Sequence, residues 1–220
     1  MTAGKRSGEA LLDAVALMDT LRRSGPWEST QTHESLRRYL IEETYELLDA
    51  IDTGSPDDLV EELGDLLLQV LFHARIAADR TSGAFDIDDV ARSFITKVSG
   101  RTKGILSGSH TDLDTQIREW EELKAAEKKR DSVFDGIALS QPALALTQKI
   151  LERLDAAGFP TDQIDPGILT VTVTAGGDSA EALARSRTLA FMDRVRAAEA
   201  GAAAAGIVLD NPQAWERYLD

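Results

Sequence analysis

The sequence predicts an all-α fold, a helical bundle organised around two carboxylate-bearing helices. Three observations point there. Apolar residues recur at three- and four-residue steps, as Leu36, Leu40, Leu47 and Ile51 do, which is the mark of one apolar helix face. Hydrophobic residues make up 43% of the 220-residue chain and aromatics only 5%, so the core falls to Leu, Ala and Val. Strand-like alternation of β-branched residues is confined to Ile168 to Thr174. The expected organisation is one helical domain over residues 1–139 and a degenerate helical region over residues 140–220 that holds one short strand.

Residues 1–8 read as disordered, and Glu9 to Arg23 as an amphipathic helix stopped by Ser24-Gly25-Pro26. Trp27 opens a polar loop through Thr32 and reads as a packing anchor, with base stacking as the alternative. In the next helix, Leu36, Leu40, Ile41, Thr44, Leu47, Leu48 and Ile51 fill one arc at about 100° per residue. Glu43 lies at the edge of that arc, with Glu42 and Glu46 beside it. Gly54 is expected to end this helix in the left-handed conformation. Ser55 then caps a second helix, with Pro56 at its first position and Asp57 and Asp58 at the positive end of its dipole.

That second helix is apolar nearly all round from Leu63 to Phe72, which predicts burial on most sides. Yet Asp58, Glu62, Asp65, Gln69 and His73 follow one another at helical spacing in a single polar stripe. Carboxylates are almost never fully buried unless paired or bound to a cation. Two like charges about 5 Å apart repel by roughly 3 kcal/mol at an effective dielectric near 20. A cluster of them therefore either raises its pKa values or binds cations. Glu42 alone reads as an ordinary solvated charge, whereas Glu62 and Asp65 on an apolar helix do not. Oxygen donors without any cysteine point to Mg²⁺ or Mn²⁺.

Beyond a loop at residues 79–84, Asp86 caps a helix with Asp89 three residues on, and Ile87, Val90, Phe94 and Val98 are its expected buried face. Lys97 and Arg101 lie one turn apart near its end. They serve either as compensation of the helix dipole or as phosphate ligands. A Gly/Ser-rich loop spans residues 104–112, and Thr115 to Lys129 reads as a charged helix with Ile117, Trp120 and Leu123 on its apolar side. Trp120 and Lys124 are one turn apart. A helix over residues 142–157 closes at Gly158-Phe159-Pro160, and another begins at Ala180 and runs to about Glu199. The C-terminal region holds one Glu-x-x-Asp, at Glu152 and Asp155, without a partner motif.

Composition excludes several classes. A net charge of −14 disfavours broad binding to nucleic-acid polymers or anionic membranes. The absence of cysteine rules out disulfides, thiolate metal sites and cysteine nucleophiles. The N-terminus is polar, and the apolar run from Leu66 to Phe72 is too short to span a bilayer, so the cytoplasm is the expected location.

Glu42-Glu43-x-x-Glu46 followed after a short turn by Glu62-x-x-Asp65 resembles the signature of the all-α nucleotide pyrophosphohydrolases. The wider strings GPWESTQTHESLRRYLIEETYELLDAI and EELGDLLLQVLFHARIA resemble the MazG family, over about residues 11–126. The resemblance implies Mg²⁺-dependent hydrolysis of nucleoside triphosphates, ordinary or non-canonical, to monophosphate and pyrophosphate. It implies metal ligation by Glu43, Glu46, Glu62 and Asp65, and water activation by Glu42 or Glu46. It implies nucleotide contacts from Lys97, Arg101, Trp120 and Lys124, whose spacings match the family's Lys-x-x-x-Arg and Trp-x-x-x-Lys pairs. Family members assemble as homodimers or higher homo-oligomers. The chain departs from the pattern after Arg101, where a His-Pro-containing string is replaced by Thr-Lys-Gly-Ile-Leu. The rival readings are a non-catalytic scaffold with a structural divalent cation, and a sibling enzyme restricted to one nucleotide such as dUTP or dCTP. A di-iron bundle is disfavoured by the lack of Glu-x-x-His pairs.

Overall fold

The computed structural model describes residues 8–102, 105, 108, 112–126 and 130–219. Among them every regular element is helical, as expected. Of the residues 1–8 expected to be disordered, 1–7 lie outside the described residues, as does most of the Gly/Ser-rich loop. The chain divides into two compact units, Met1–Lys124 and Ala125–Asp220.

The first unit contains α1 (Glu9–Ser24), α2 (Arg37–Thr53), α3 (Pro56–Ala78), α4 (Ile87–Arg101) and α5 (Leu113–Ala126), whose last two residues lie past the division. Helix α3 is the hub and packs against α1, α2 and α4. Its start is built by a capping box: the Ser55 hydroxyl accepts from the Asp58 N–H, and the Asp58 carboxylate accepts from the Ser55 N–H. Met18, Leu36, Leu71, Phe72 and Ile76 form the core. Arg22 ties the α1 end to the following turn through the carbonyls of Glu28 and Gln31, both at 2.9 Å, and to Asp79 at 2.9 Å. Trp27 meets Tyr39 and Phe72 edge-on, each at 5.9 Å between centroids, as a packing anchor should.

Three expectations are corrected here. Gly54 is extended (φ −78°), not left-handed. Its N–H still closes α2 on the Ala50 carbonyl at 3.0 Å. A Cβ at this position would sit 2.7 Å from the Ala50 backbone, so close approach rather than positive φ demands glycine. The expected buried arc of α2 is only partly buried. Leu36 is inside, but Leu40, Ile41, Leu48 and Ile51 are exposed. The inward face runs through Leu36, Tyr39, Glu43, Leu47 and Ala50, so Glu43 stands on it rather than at its edge. Likewise α3 exposes Val60, Leu63 and Val70, and α4 exposes Phe94, because one helical hairpin cannot cover helices that are apolar on several sides.

The second unit contains α6 (Ala143–Ala156), the short α7 (Pro166–Leu169), α8 (Ala180–Ala204) and the short α9 (Pro212–Glu216). Helix α8 packs against α6 and α7. Phe134, Leu146, Ile150, Leu154, Phe191, Met192, Val195 and Trp215 lie in its core. The expected strand at Ile168 to Thr174 is not formed. Ile168 and Leu169 end α7, and Thr170 to Thr174 is irregular, with no ladder partner among the described residues. β-Branched residues favour extended backbone, but a strand also needs a neighbour to bond.

The capping box predicts a stability effect. Ser55→Ala should destabilise the chain by about 1 kcal/mol, read as a lower urea midpoint with unchanged m-value. An unchanged midpoint would show that the cap contributes nothing to α3.

Candidate metal centre

The antiparallel run of α2 into α3 brings their acidic faces together. Glu43, Glu62 and Asp65 each offer a carboxylate oxygen, and these oxygens lie within 4.8 Å of one another. All three residues are half-buried. Glu46 stands beside them: its carboxylate helps to raise the pKa of both Glu43 and Glu62. Glu42 is exposed and acts only as a neighbouring charge on Glu43. Asp49, on the same helix, is exposed.

The electrostatics follow from this convergence. Burial, then Asp65, Glu46 and Glu42, push the Glu43 carboxyl above its ordinary range. Burial, then Glu46, Asp65, Glu61 and Asp58, do the same to Glu62. The Glu62 Oε2 atom is shut off from water and makes no hydrogen bond among the described residues. An orphaned, inward-aimed oxygen beside two other carboxylates fits a divalent cation, since such an atom otherwise carries a desolvation cost with no compensating bond. An all-oxygen donor set is the kind that Mg²⁺ and Mn²⁺ prefer.

The polar stripe of α3 continues inward past Asp65. Gln69 is 3% exposed, and its Oε1 also lacks a hydrogen-bond partner. One turn on, His73 Nδ1 lies 2.8 Å from His33 Nδ1. Burial and then His33 lower the His73 pKa. The period of the stripe placed Gln69 and His73 on this face. Nothing in the spacing indicated His33 as the partner, because the contact joins residues 40 positions apart.

The expected nucleotide contacts lie elsewhere in the same unit. Lys97 is exposed on α4, and the Arg101 guanidinium sits over the Trp120 ring at 5.2 Å, joining α4 to α5. Lys124 is in the last turn of α5, but its side chain lies outside the described residues.

The raised carboxyls set a pH dependence. Without metal, the folded chain binds more protons than the unfolded chain between the ordinary carboxyl range and the raised values. These groups therefore cost stability as pH rises through that window. In EDTA, the thermal-stability advantage of Glu62→Gln over the wild type should grow as pH rises above the ordinary carboxyl range, and added Mg²⁺ should reverse it. An advantage that ignores both pH and Mg²⁺ would remove the repulsion from the account.

Comparison with known proteins agrees with this geometry. The family model described as the MazG nucleotide pyrophosphohydrolase domain matches residues 31–106, which include all of the converging carboxylates together with Lys97 and Arg101. The chain is 55% identical over 198 residues to a nucleoside triphosphate pyrophosphohydrolase of Mycobacterium tuberculosis, covering 90% of this chain and 61% of that protein. It is 40% identical over 202 residues to an uncharacterized 26.1 kDa protein of Streptomyces cacaoi, covering 87% of this chain and 84% of that protein. It is 42% identical over 166 residues to the nucleoside triphosphate pyrophosphohydrolase/pyrophosphatase MazG of Thermotoga maritima, covering 74% and 62%. The chain thus spans about three-fifths of the length of its mycobacterial and Thermotoga relatives. By its carboxylate helices, its matched domain and these relatives, the chain belongs to the MazG nucleotide pyrophosphohydrolase family.

Proposed function

We propose that the chain hydrolyses nucleoside triphosphates to monophosphate and pyrophosphate with Mg²⁺, or Mn²⁺ in its place, held by Glu43, Glu46, Glu62 and Asp65. The observation that carries this reading is the meeting of Glu43, Glu62 and Asp65 oxygens within 4.8 Å inside the matched family domain. The relatives' names supply the reaction.

When bound, the divalent cation neutralises phosphate oxygens and favours water attack as a Lewis acid. The chain's own groups do the rest. A carboxylate takes the proton from the attacking water as the anhydride bond between the α- and β-phosphates breaks. Glu46 is better placed than Glu42, since its charge acts on both Glu43 and Glu62 while that of Glu42 acts on Glu43. Lys97, Arg101 and Lys124 bind phosphate oxygens, and Trp120 walls the base, with Arg101 already held against its ring. The proposed substrates include ordinary and damaged nucleotides. The substitution of the His-Pro string after Arg101 is where substrate preference is expected to differ.

The apolar faces of α2, α3 and α4 left open in one chain are the surface for a homodimer or higher homo-oligomer. No helix among the described residues is long and apolar enough to cross a membrane, and the proposed location is the cytoplasm. The C-terminal region, residues 140–220, is proposed to be catalytically silent. Its Glu152 is engaged by Lys149 at 2.7 Å, and no second group of converging acids occurs among the described residues.

Purified protein should release pyrophosphate from nucleoside triphosphates with Mg²⁺ and stop on addition of EDTA. A structural cation in a scaffold would give metal-dependent stability without turnover. Asp65→Asn or Glu62→Gln should remove nearly all activity, while Asp49→Asn should leave it within about twofold. Asp49→Asn as damaging as Asp65→Asn would overturn the assignment of faces. Residual metal-dependent turnover in the full chain carrying Glu62→Gln would reveal a second site.

Lys97→Ala should raise KM by about tenfold, the scale of one charge-assisted contact. Unchanged KM and kcat would return Lys97 to an ordinary solvated charge.

A further inference from the structure

We propose that His33 and His73 form a proton-operated latch, which fastens the turn leading into α2 to α3 and lets it go when both rings are charged. Residues 32–36 make that turn, and α2, the helix it opens, carries Glu43.

The geometry is the first argument. The two Nδ1 atoms are 2.8 Å apart, the ring centroids 5.1 Å apart, and the ring planes differ by 14°. At so short a nitrogen contact, a centroid separation of 5.1 Å is reached only if both nitrogens lie on the line between the centroids. The rings therefore meet edge to edge in nearly one plane, and each Nδ1 lies on the lone-pair axis of the other. That is the arrangement of an N–H···N hydrogen bond, with one ring donating and the other accepting.

The second argument is a count of protons. A neutral imidazole has one N–H donor and one bare acceptor nitrogen, and an imidazolium has two donors. With both rings neutral, one carries its proton on Nδ1 and donates it to the other. A further proton goes to Nε2 of the donor ring, and the bond remains. A second proton has only the accepting Nδ1 left to take. Two N–H groups and two positive charges then face each other, and the contact has to open.

The third argument is the isolation of the turn. Its other hydrogen bonds stay local: the Thr32 N–H donates to Ser35 Oγ at 2.9 Å, the Ser35 N–H to Thr32 Oγ1 at 3.1 Å, and the Leu36 N–H to the Thr32 carbonyl at 3.2 Å. Among the described residues, the histidine pair is the only hydrogen bond from this turn to α3. The apolar anchor beside it is Leu36, buried in the core with Leu71 and Phe72. Acid therefore removes the polar tie and leaves the core in place.

The surrounding charges do not cancel the effect. On α3, Arg75 pairs with Asp79, and Asp65 lies two turns back in the carboxylate group. On α1, Asp19 pairs with Arg23 and Arg75, and Arg22 pairs with Asp79. Glu34 pairs with Arg37 at the start of α2, and Arg38 lies over the Tyr39 ring. On α4, Asp86 and Asp89 lie against Arg92. No acid on these elements, Glu28 and Asp88 included, is among the causes of the lowered His73 pKa, which are burial and then His33. The folded chain thus binds fewer protons than the unfolded chain between the lowered value and the ordinary histidine value near 6.5. The latch loses stability as pH falls through that window.

The test uses the full chain in a His110→Gln background, where His33 and His73 are the only imidazoles. Ring-nitrogen NMR at about pH 7.5 should show one Nδ1 protonated and the other bare, and the pair should titrate in two separated steps. The exchange protection of the Ser35 and Leu36 amides should fall by about tenfold or more between about pH 7.5 and about pH 5. His73→Asn puts an amide that donates or accepts without titrating in place of Nδ1, so it should keep that protection at the lower pH. His33→Asn is the reciprocal variant and should do the same. Both variants retain the carboxylates of α2 and α3, so a loss caused by those acids would appear in them too. Two bare Nδ1 atoms at the higher pH, or an equal loss of protection in the parent chain and both asparagine variants, would overturn the latch.

Discussion

The repulsion among carboxylates on α2 and α3 is the constraint on which the first unit depends. Glu43, Glu62 and Asp65 converge within a few ångströms, and Glu46 stands beside them. Helix packing forces this meeting, because Glu43 sits on the very face of α2 that faces α3. The chain holds the two helices in place by means that do not involve the acids. Gly54 allows the tight exit from α2, Ser55 and Asp58 fix the start of α3, and Arg22 and Arg75 bind Asp79 at its far end. The strain of like charges is thus concentrated at one point, where a cation would relieve it.

The same helices present an inverted arrangement. The polar stripe of α3, from Glu62 to His73, faces the interior, and apolar side chains such as Val60, Leu63 and Val70 face out. A soluble monomer normally does the reverse. This inversion links function to assembly in the proposed account: the interior is given over to a charged site, and the apolar area this displaces is left for another copy to cover. The second unit shows the ordinary pattern, with a continuous core around Leu146, Ile150, Phe191 and Trp215. Arg130 Nε and Glu199 Oε2, which make no hydrogen bond among the described residues, belong to residues that border one cavity.

Much of this was readable from residue order, for physical reasons. Caps depend on a few adjacent residues, so Ser55 and Asp86 marked their helix starts correctly. The polar stripe depends only on helical period, so the approach of Glu62 and Asp65 to an acidic neighbour could be anticipated. What failed depends on distant neighbours. Burial of Ile41, Leu48 and Phe94 requires a covering surface that one chain does not supply. The strand at Ile168 to Thr174 requires a partner strand, and local preference for extended backbone does not provide one. The conformation of Gly54 was set by the immediate restart at Ser55, not by the usual helix ending. The His33–His73 contact and the cavity at Arg130 and Glu199 join residues far apart in the chain and left no local pattern.

The claim that the acidic convergence is a cation site is tested most directly by titrating metal-free protein with Mn²⁺ and following the free-ion signal by electron paramagnetic resonance. The account predicts that the wild type takes up Mn²⁺, that Mg²⁺ displaces it, and that Asp65→Asn abolishes the uptake while Asp49→Asn retains it. Undiminished Mn²⁺ uptake by folded Asp65→Asn would contradict the account.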